Sequence, residues 1–418
     1  MNTIELLRAY EAQMIADRRW MHEHPELSGQ ETQTIEYVIA ALKALGLAVH
    51  DVPDGGVIGV LGDEKAHPCV LLRADVDALP IGESTENLAG SKVCVSKNAG
   101  VMHACGHDAH AAMLLGAARA LTAQREKING CVLFVFERGE ERGGKGCLEH
   151  LLPYIDAHFA VDACYATHVR WDIPAGKIAV PEDIAMAGGF GFDVTICGKG
   201  GHGSRPDLAC SPIDCFSAIH QQLLALRLRA TEPEQVLTYS LGCVQSGEQS
   251  NVIPETLRFA GTVRTYDTAN AGERFARDAR RIIDHTCAAH GCSAAYTHFS
   301  KPLYETRNNA CAARRMKAAI ENSLGKEVLT TCSTWMASET MGAYLKLWPG
   351  VLTFTGIKNA QLGTGANHHT PQFDVDEATL VPGAAAACAF ALEMLSDCLD
   401  FGFERDIVSI QDLVSRSI

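Results

Sequence analysis

Long hydrophobic runs are missing from this chain. Its 418 residues contain no stretch of about 18 apolar side chains, so no membrane-spanning helix is expected. The first twenty residues mix charged and apolar positions and hold no signal-peptide core, a pattern that points to a cytoplasmic protein. Excess positive charge is missing as well. Against 36 Lys and Arg stand 50 Asp and Glu, a formal net charge of −14, which excludes the basic footprint of a nucleic-acid binder. Internal repeats and low-complexity tracts are absent. No Cys-X-X-Cys pair occurs among the 16 cysteines, which argues against a thiol redox protein. Several cysteines lie inside apolar runs, as Cys131 does, and read as small buried hydrophobes kept reduced.

What is present is an ordinary globular composition, 47% hydrophobic and 21% charged, at a length that favours two domains. Helical periodicity covers 8–20 and 31–45, with breaks at His22-Glu23-His24-Pro25-Glu26 and Gly46. Short apolar runs at 57–61, 70–74, 131–136 and 161–167 read as strands, and 109–121 as a helix between them. This alternation predicts the α/β class, with a sheet covered by helices on both faces. Asp75, the Glu140-Glu141 pair and His168 then fall just past the carboxyl ends of strands, where open α/β sheets place their sites. Near Gly188 the texture changes. Strands at 190–196, 236–244, 257–264 and 293–299 and helices at 211–228 and 271–290 give a β-α-β-β-α-β order, that of a ferredoxin-like α+β domain inserted into the first. The expected division is 1–185 and 304–418 for the two parts of the main domain and 186–303 for the insert. An apolar run at 351–355 and a helix at 380–395 follow, and the tail from 401 to 418 is expected to add a short extra helix.

The segment Met102-His103-Ala104-Cys105-Gly106-His107-Asp108-Ala109-His110 packs one thiol, three imidazoles and a carboxylate together. Gly106 allows a tight turn between Cys105 and His107. Thiolate and imidazole side chains converge in this way on a transition metal such as Zn, Ni, Co or Mn. Glu141, His168 and His369 are donors of the right type on other elements. With Cys105 and His107 they could hold two divalent ions, which lower the pKa of water and clamp a tetrahedral oxyanion. Glu140 adjoins Glu141; extended neighbours point to opposite sides, so a tight turn is needed for both to reach one site. Glu140 could then move the proton of the attacking water to a leaving amine.

The passages at 73–80 (Arg-Ala-Asp-Val-Asp-Ala-Leu-Pro), 102–110, 251–254 (Asn-Val-Ile-Pro), 261–265 (Gly-Thr-Val-Arg-Thr) and 369–377 (His-Thr-Pro-Gln-Phe-Asp-Val-Asp-Glu) resemble the M20 metallopeptidases. The similarity is greatest to their amidohydrolase branch, which acts on N-acyl amino acids, hippurate and auxin conjugates. That resemblance implies a catalytic domain with a central mixed sheet flanked by helices, an inserted dimerisation or lid domain, one or two divalent metal ions and a homodimer. It implies cleavage of an N-acyl amino acid or related amide, with a dipeptidase or carboxypeptidase on the same scaffold, or a non-catalytic metal- or ligand-binding relative, as the alternatives. Carried over by motif, Cys105, His107, Glu141, His168 and His369 match metal ligands and Glu140 the general acid/base. Asp75 matches a supporting carboxylate, and His202 an oxyanion-stabilising histidine that the insert supplies, often from the partner subunit. Asn251 and Arg264 match positions that hold the substrate carboxylate. His369 rather than His368 takes the matching place before Thr-Pro, while His103 and His110 support the site and His22 and His24 pack the N-terminal helices.

Three departures from the family pattern stand out. Glu137-Arg138-Gly139 replaces Gln-Pro-Ala before the Glu140-Glu141 pair, and Arg142 follows it. Asp207 stands where a histidine is usual, and Thr340-Met341 replaces Asp-Phe after Ser338-Glu339. They suggest an altered substrate preference in an intact enzyme.

Overall fold

The computed structural model describes residues 3–396, 400–405 and 409–416. The first strands are β1 (Ala48–Val52), β2 (Gly56–Gly62), β3 (Cys69–Asp75), β4 (Cys131–Glu137), β5 (Ala163–Pro174) and β6 (Ile178–Ala179). Next come β7 (Ile184–Met186), β8 (Gly188–Cys197), β9 (Gly201–His202), β10 (Leu237–Gln245), β11 (Val252–Ile253), β12 (Thr256–Thr265), β13 (Ser293–Phe299) and β14 (Thr306–Arg307). The last two are β15 (Leu329–Thr330) and β16 (Gly350–Lys358).

A mixed eight-stranded sheet has the order β1-β2-β4-β3-β5-β16-β6-β15. Its centre, β4-β3-β5-β16, is parallel, and β1 and β2 join antiparallel. The central strands are mostly apolar because both faces are covered, and their polar residues gather toward the carboxyl ends. Val132, Phe134 and Phe136 of β4 pack into one core with helices Glu11–Glu23, His107–Thr122 and Leu380–Met394. Leu133 and Val135 point the other way, into a second core with helices Leu152–His158 and Met341–Leu347. One helical window, Glu377–Met394, has the length and mean hydropathy of a membrane span, although glutamates at both ends interrupt it and it is no unbroken apolar run. Alanine-rich stretches score as apolar without bulky side chains, and here 72% of that window is buried within the protein, as suits a core helix.

A second sheet, β10-β12-β8-β13, is antiparallel and carries helices Pro212–Ala230 and Glu273–Ala289. In chain order it reads β-α-β-β-α-β, and it has its own core around Phe190, Phe259 and Phe275. Two boundaries differ from the sequence reading in ways that matter for the site. The helix expected at 8–20 is two helices, Thr3–Ala9 and Glu11–Glu23. The strand expected to stop at 167 continues to Pro174. β3 pairs with β5 only as far as Ala166, while β16 continues beside it past His168. His168 therefore lies inside a strand yet beyond the last residue of β5 that pairs with β3. The short extra helix expected in the tail is present at Ile410–Val414, and 406–408, 417 and 418 lie outside the described residues.

A buried polar network ties the N-terminal helices to the start of His107–Thr122. Arg18 Nε donates to Asp108 Oδ2 at 2.8 Å, and His22 bridges Asp108 (2.8 Å) and Glu83 (2.9 Å). Lys92 Nζ and the Ser96 amide donate to Glu83 at 2.8 and 2.6 Å. Burial would raise the Glu83 carboxyl, but His22, Lys92 and the Ser96 amide outweigh it and hold it down to about 2. A carboxylate whose pKa is depressed on folding contributes stability above its unfolded pKa, and that contribution is lost as pH falls through the folded value. The unfolding free energy of wild type minus that of Glu83→Gln is thus expected to be constant above about pH 5 and to shrink between about pH 4.5 and 2. Chemical denaturation across a pH series measures it.

Candidate metal centre

Period-two alternation along a strand puts Arg73, Asp75 and Asp77 on one side of β3 and its continuation. The Arg73 guanidinium is buried among acids. Its Nε donates to Glu137 Oε2 at 2.8 Å, and Nη1 to Asp75 Oδ2 at 2.8 Å with Glu339 Oε1 at 3.0 Å. Nη2 donates to the Thr340 hydroxyl at 2.7 Å, which donates in turn to Glu137 Oε1 at 2.6 Å. Burial would raise Asp75, but His107, Arg73 and His110 together hold it well below the usual carboxylate range.

Gly106 starts the next element. Its φ is +89°, and a Cβ there would lie 2.3 Å from Val169 Cγ2, so only glycine fits the turn that swings Cys105 and His107 together. His107 Nδ1 meets Asp77 Oδ1 at 3.0 Å, and Asp77 is itself held by the Ser28 hydroxyl (2.6 Å) and the Glu141 amide (2.9 Å). That leaves His107 Nε2 facing inward. The buried His168 Nδ1 lies 2.7 Å from the Val169 carbonyl and must donate to it, so Nε2 carries a lone pair, 3.5 Å from Cys105 Sγ. His110 is committed elsewhere. The Val169 amide donates to its Nε2 at 2.8 Å, so its Nδ1–H donates to Asp75 Oδ1 at 2.6 Å.

A tight turn does follow β4. Gly139 adopts φ +73° and leads into a single 3-10 turn, Glu140–Arg142. Glu31 anchors the turn, accepting from Arg138 Nε (3.0 Å) and the Gly139 amide (2.8 Å). Glu141 Oε1 lies 3.8 Å from His107 Nε2 and 3.3 Å from His369 Nε2. His369 adopts φ +59°, and its amide donates to the Ala104 carbonyl at 2.9 Å, which turns the ring toward Glu141. Glu140 accepts from the Thr340 amide at 3.2 Å. Burial, Glu339 and Glu141 push its carboxyl well above the ordinary range.

Donor atoms of Cys105, His107 and His168 lie within 4.8 Å of one another, as do those of Cys105, Glu141 and His369, and of His107, Glu140 and Glu141. Overlapping triads of sulfur, nitrogen and carboxylate oxygen suit borderline divalent metals. His107 Nε2 and Glu141 Oε1 are buried, face each other and have no hydrogen-bond partner among the described residues. A buried polar atom without a partner is costly, and a cation between these two resolves both. The residues therefore fit a metal.

Of the other residues singled out in the sequence, His202 and Asn251 lie on an exposed ribbon, whereas Arg264 and His368 border the cluster. His202 sits exposed on the β9–β11 ribbon, where its Nδ1 accepts from the Ser204 amide at 3.2 Å and lies 2.8 Å from the Ser204 hydroxyl. Asn251 is exposed on the same ribbon, its carbonyl accepting from the Gly203 amide at 2.8 Å. Arg264, half-buried on β12, lies near enough to Glu140 for their charges to interact. His368 is buried between Trp335 and Phe373, both at 4.8 Å, and His103 is buried with its pKa pushed down to about 4, chiefly by desolvation. Asp77 and Arg73 were not singled out, although the spacing 73, 75, 77 signalled one shared face. The unusual charges also find partners: Glu137 accepts from Arg73, Thr340 and Tyr344, Arg138 pairs with Glu31, and Asp207 pairs with Arg205.

Peptidase family M20/M25/M40 matches residues 71–393. Thermostable carboxypeptidase 1 of Saccharolobus solfataricus is 33% identical over 392 residues, covering 93% of this chain and 96% of its own. IAA-amino acid hydrolase ILR1-like 2 of Arabidopsis thaliana is 32% identical over 390 residues, covering 92% and 85%. Among solved structures, the Bacillus subtilis YXEP protein, a dinuclear metal binding peptidase from the M20 family, superposes with a TM-score of 0.74 at 29% identity, covering 92% of this chain and 98% of that one. The chain belongs to peptidase family M20/M25/M40 and is a metal-dependent hydrolase of amide bonds.

Proposed function

We propose that the substrate is an N-acyl amino acid, cleaved to a carboxylic acid and an amino acid, and that Cys105, His107, Glu141, His168 and His369 hold two divalent ions drawn from Mn, Zn, Co or Ni. The observation that carries this reading is geometric: the Glu140 carboxylate shares a donor cluster with His107 Nε2 and Glu141 Oε1, which face each other without hydrogen-bond partners among the described residues. When bound, the ions supply Lewis acidity, lowering the pKa of water and polarising the amide carbonyl. Glu140 takes the proton of the attacking water on a carboxylate oxygen and returns it to the leaving nitrogen. Asp77 fixes the His107 tautomer and so aims Nε2. Asp75 holds His110 and Arg73 in place. Arg264 and Asn251 receive the substrate carboxylate, for which a guanidinium fork is suited.

His202 completes the site by stabilising the oxyanion. Its exposed ribbon supports delivery from a partner subunit or by domain closure, and hence a homodimer through the insert spanning 186–303. Fifteen described cysteines are free thiols, which supports a reducing, cytoplasmic location. The relative named a carboxypeptidase supports the competing peptide reading. Kinetics of the metal-loaded protein on acetyl- and benzoyl-amino acids beside free dipeptides separates the two. The acyl-amino acids are expected to turn over at least tenfold faster, a margin of roughly 1.4 kcal/mol in the barrier; faster turnover of dipeptides would replace the reading with a dipeptidase.

A further inference from the structure

The cysteines are scattered along the sequence, but the second sheet gathers five of them at one end. Cys197 ends β8, Cys210 precedes the helix Pro212–Ala230, and Cys215 lies in that helix near its start. Cys287 lies in the last turn of Glu273–Ala289, and Cys292 precedes β13. Cys215 and Cys287 are fully buried on different helices with their sulfurs 3.7 Å apart. Cys292 is partly exposed, and its thiol reaches Cys215, while Cys210 and Cys197 lie close by. This cluster stands at the base of the ribbon that carries His202: Lys199 and Cys210 exchange backbone hydrogen bonds of 3.0 and 2.9 Å across it.

We infer that Cys215 and Cys287 form a reversible disulfide, loaded through Cys292 by a small-molecule disulfide of the glutathione type. The step balances as an exchange. The Cys292 thiolate attacks the small disulfide and releases one thiol. Cys215 then attacks the Cys292 sulfur and releases the second thiol, and Cys287 attacks Cys215, which returns Cys292 to its free form. Two protein thiols are oxidised, the small disulfide is reduced to two thiols, and the protons lost by Cys215 and Cys287 go to them. Closing the pair requires the sulfurs to approach from 3.7 Å to about 2.05 Å. Burial, with Cys287 adding to it and Cys292 opposing it, pushes Cys215 up to about 12, and burial with Cys215 adding to it pushes Cys292 up to about 11, so the thiols resist casual oxidation and exchange is slow. The bond would tie the helix that begins just after the ribbon to the helix Glu273–Ala289. This inference does not rest on the proposed substrate.

The experiment equilibrates the full-length protein with oxidised glutathione, alkylates the remaining thiols after unfolding, and maps the peptides by mass spectrometry. The expected result is a Cys215–Cys287 cross-link that dithiothreitol reverses, with melting raised by roughly 5 °C. Cys292→Ser is expected to slow formation of the cross-link roughly tenfold without changing its endpoint. The inference is overturned if Cys215 and Cys287 both stay free for alkylation once more accessible thiols such as Cys243 have reacted. It is equally overturned if the cross-link joins another pair, or if the three thiols release a bound metal ion on modification.

Discussion

Glu140→Gln is expected to lower kcat by roughly 10²–10⁴-fold, the range of a general acid/base, while KM and bound metal stay close to wild type. The amide is isosteric and can still accept the hydrogen bond that the Thr340 amide donates at 3.2 Å. It can neither take the proton of the attacking water nor deliver one to the leaving nitrogen. Glu141, the neighbouring carboxylate, is held differently: its amide is fixed by Asp77 at 2.9 Å, and its Oε1 faces the imidazoles of His107 and His369. Losing Glu141 should therefore remove metal as well as activity. Steady-state kinetics paired with metal analysis of both variants makes the distinction, and a Glu140→Gln protein with wild-type kcat would remove Glu140 from the chemistry.

Arg73→Leu carries the largest expected effect on stability. The guanidinium contacts Glu137, Asp75 and Glu339 at 2.8, 2.8 and 3.0 Å, and all four side chains are buried. Removing one partner from a buried ionic cluster leaves uncompensated charge and costs about 3–5 kcal/mol. Glu339 already shows the strain of its surroundings: burial, with Asp75 and Glu137 adding to it, raises its carboxyl to about 7 despite Arg73. Adding Glu137→Gln to Arg73→Leu is expected to recover part of the loss, because one buried negative charge goes with the positive one. Chemical denaturation of the single and double variants tests this; a double variant no more stable than Arg73→Leu would show that the acids do not depend on the guanidinium.

The fold was legible wherever hydrophobic period and turn residues agreed. The strands at 131–136 and 293–299 have a glycine or a charged residue within two positions of each end, and the structure places them within a residue of the reading. β5 outruns its apolar stretch because His168, Arg170 and Asp172 continue the strand after the hydrophobic run ends. Only the sheet register shows that β3 stops at Asp75 while β5 and β16 run on together. At the site, the donors clustered near 105 could be read directly, since a turn glycine and a helix start fix their spacing. The groups that aim those donors were harder to read. Asp77 orients His107 and Glu31 braces the Glu140 turn through contacts between residues far apart in the chain. The exchange of side chains at 137 and 340 reads as two unrelated departures in the sequence. In three dimensions Glu137 and Thr340 share one hydrogen bond and both contact Arg73, so the carboxylate absent at 340 has its counterpart at 137.

We propose that Cys105 belongs to the donor set on which hydrolysis depends. Its sulfur is 3.5 Å from His168 Nε2 and within 4.8 Å of donor atoms of His107, Glu141 and His369. Without a cation, burial and the Glu141 and Glu140 charges hold its thiol well above the usual range, so a thiolate there needs a metal beside it. The direct measurement is metal content per chain by elemental analysis, with amide turnover on the same samples, for wild type and Cys105→Ser. The serine variant is expected to lose metal and activity together. A Cys105→Ser protein that keeps full metal content and full turnover would contradict it.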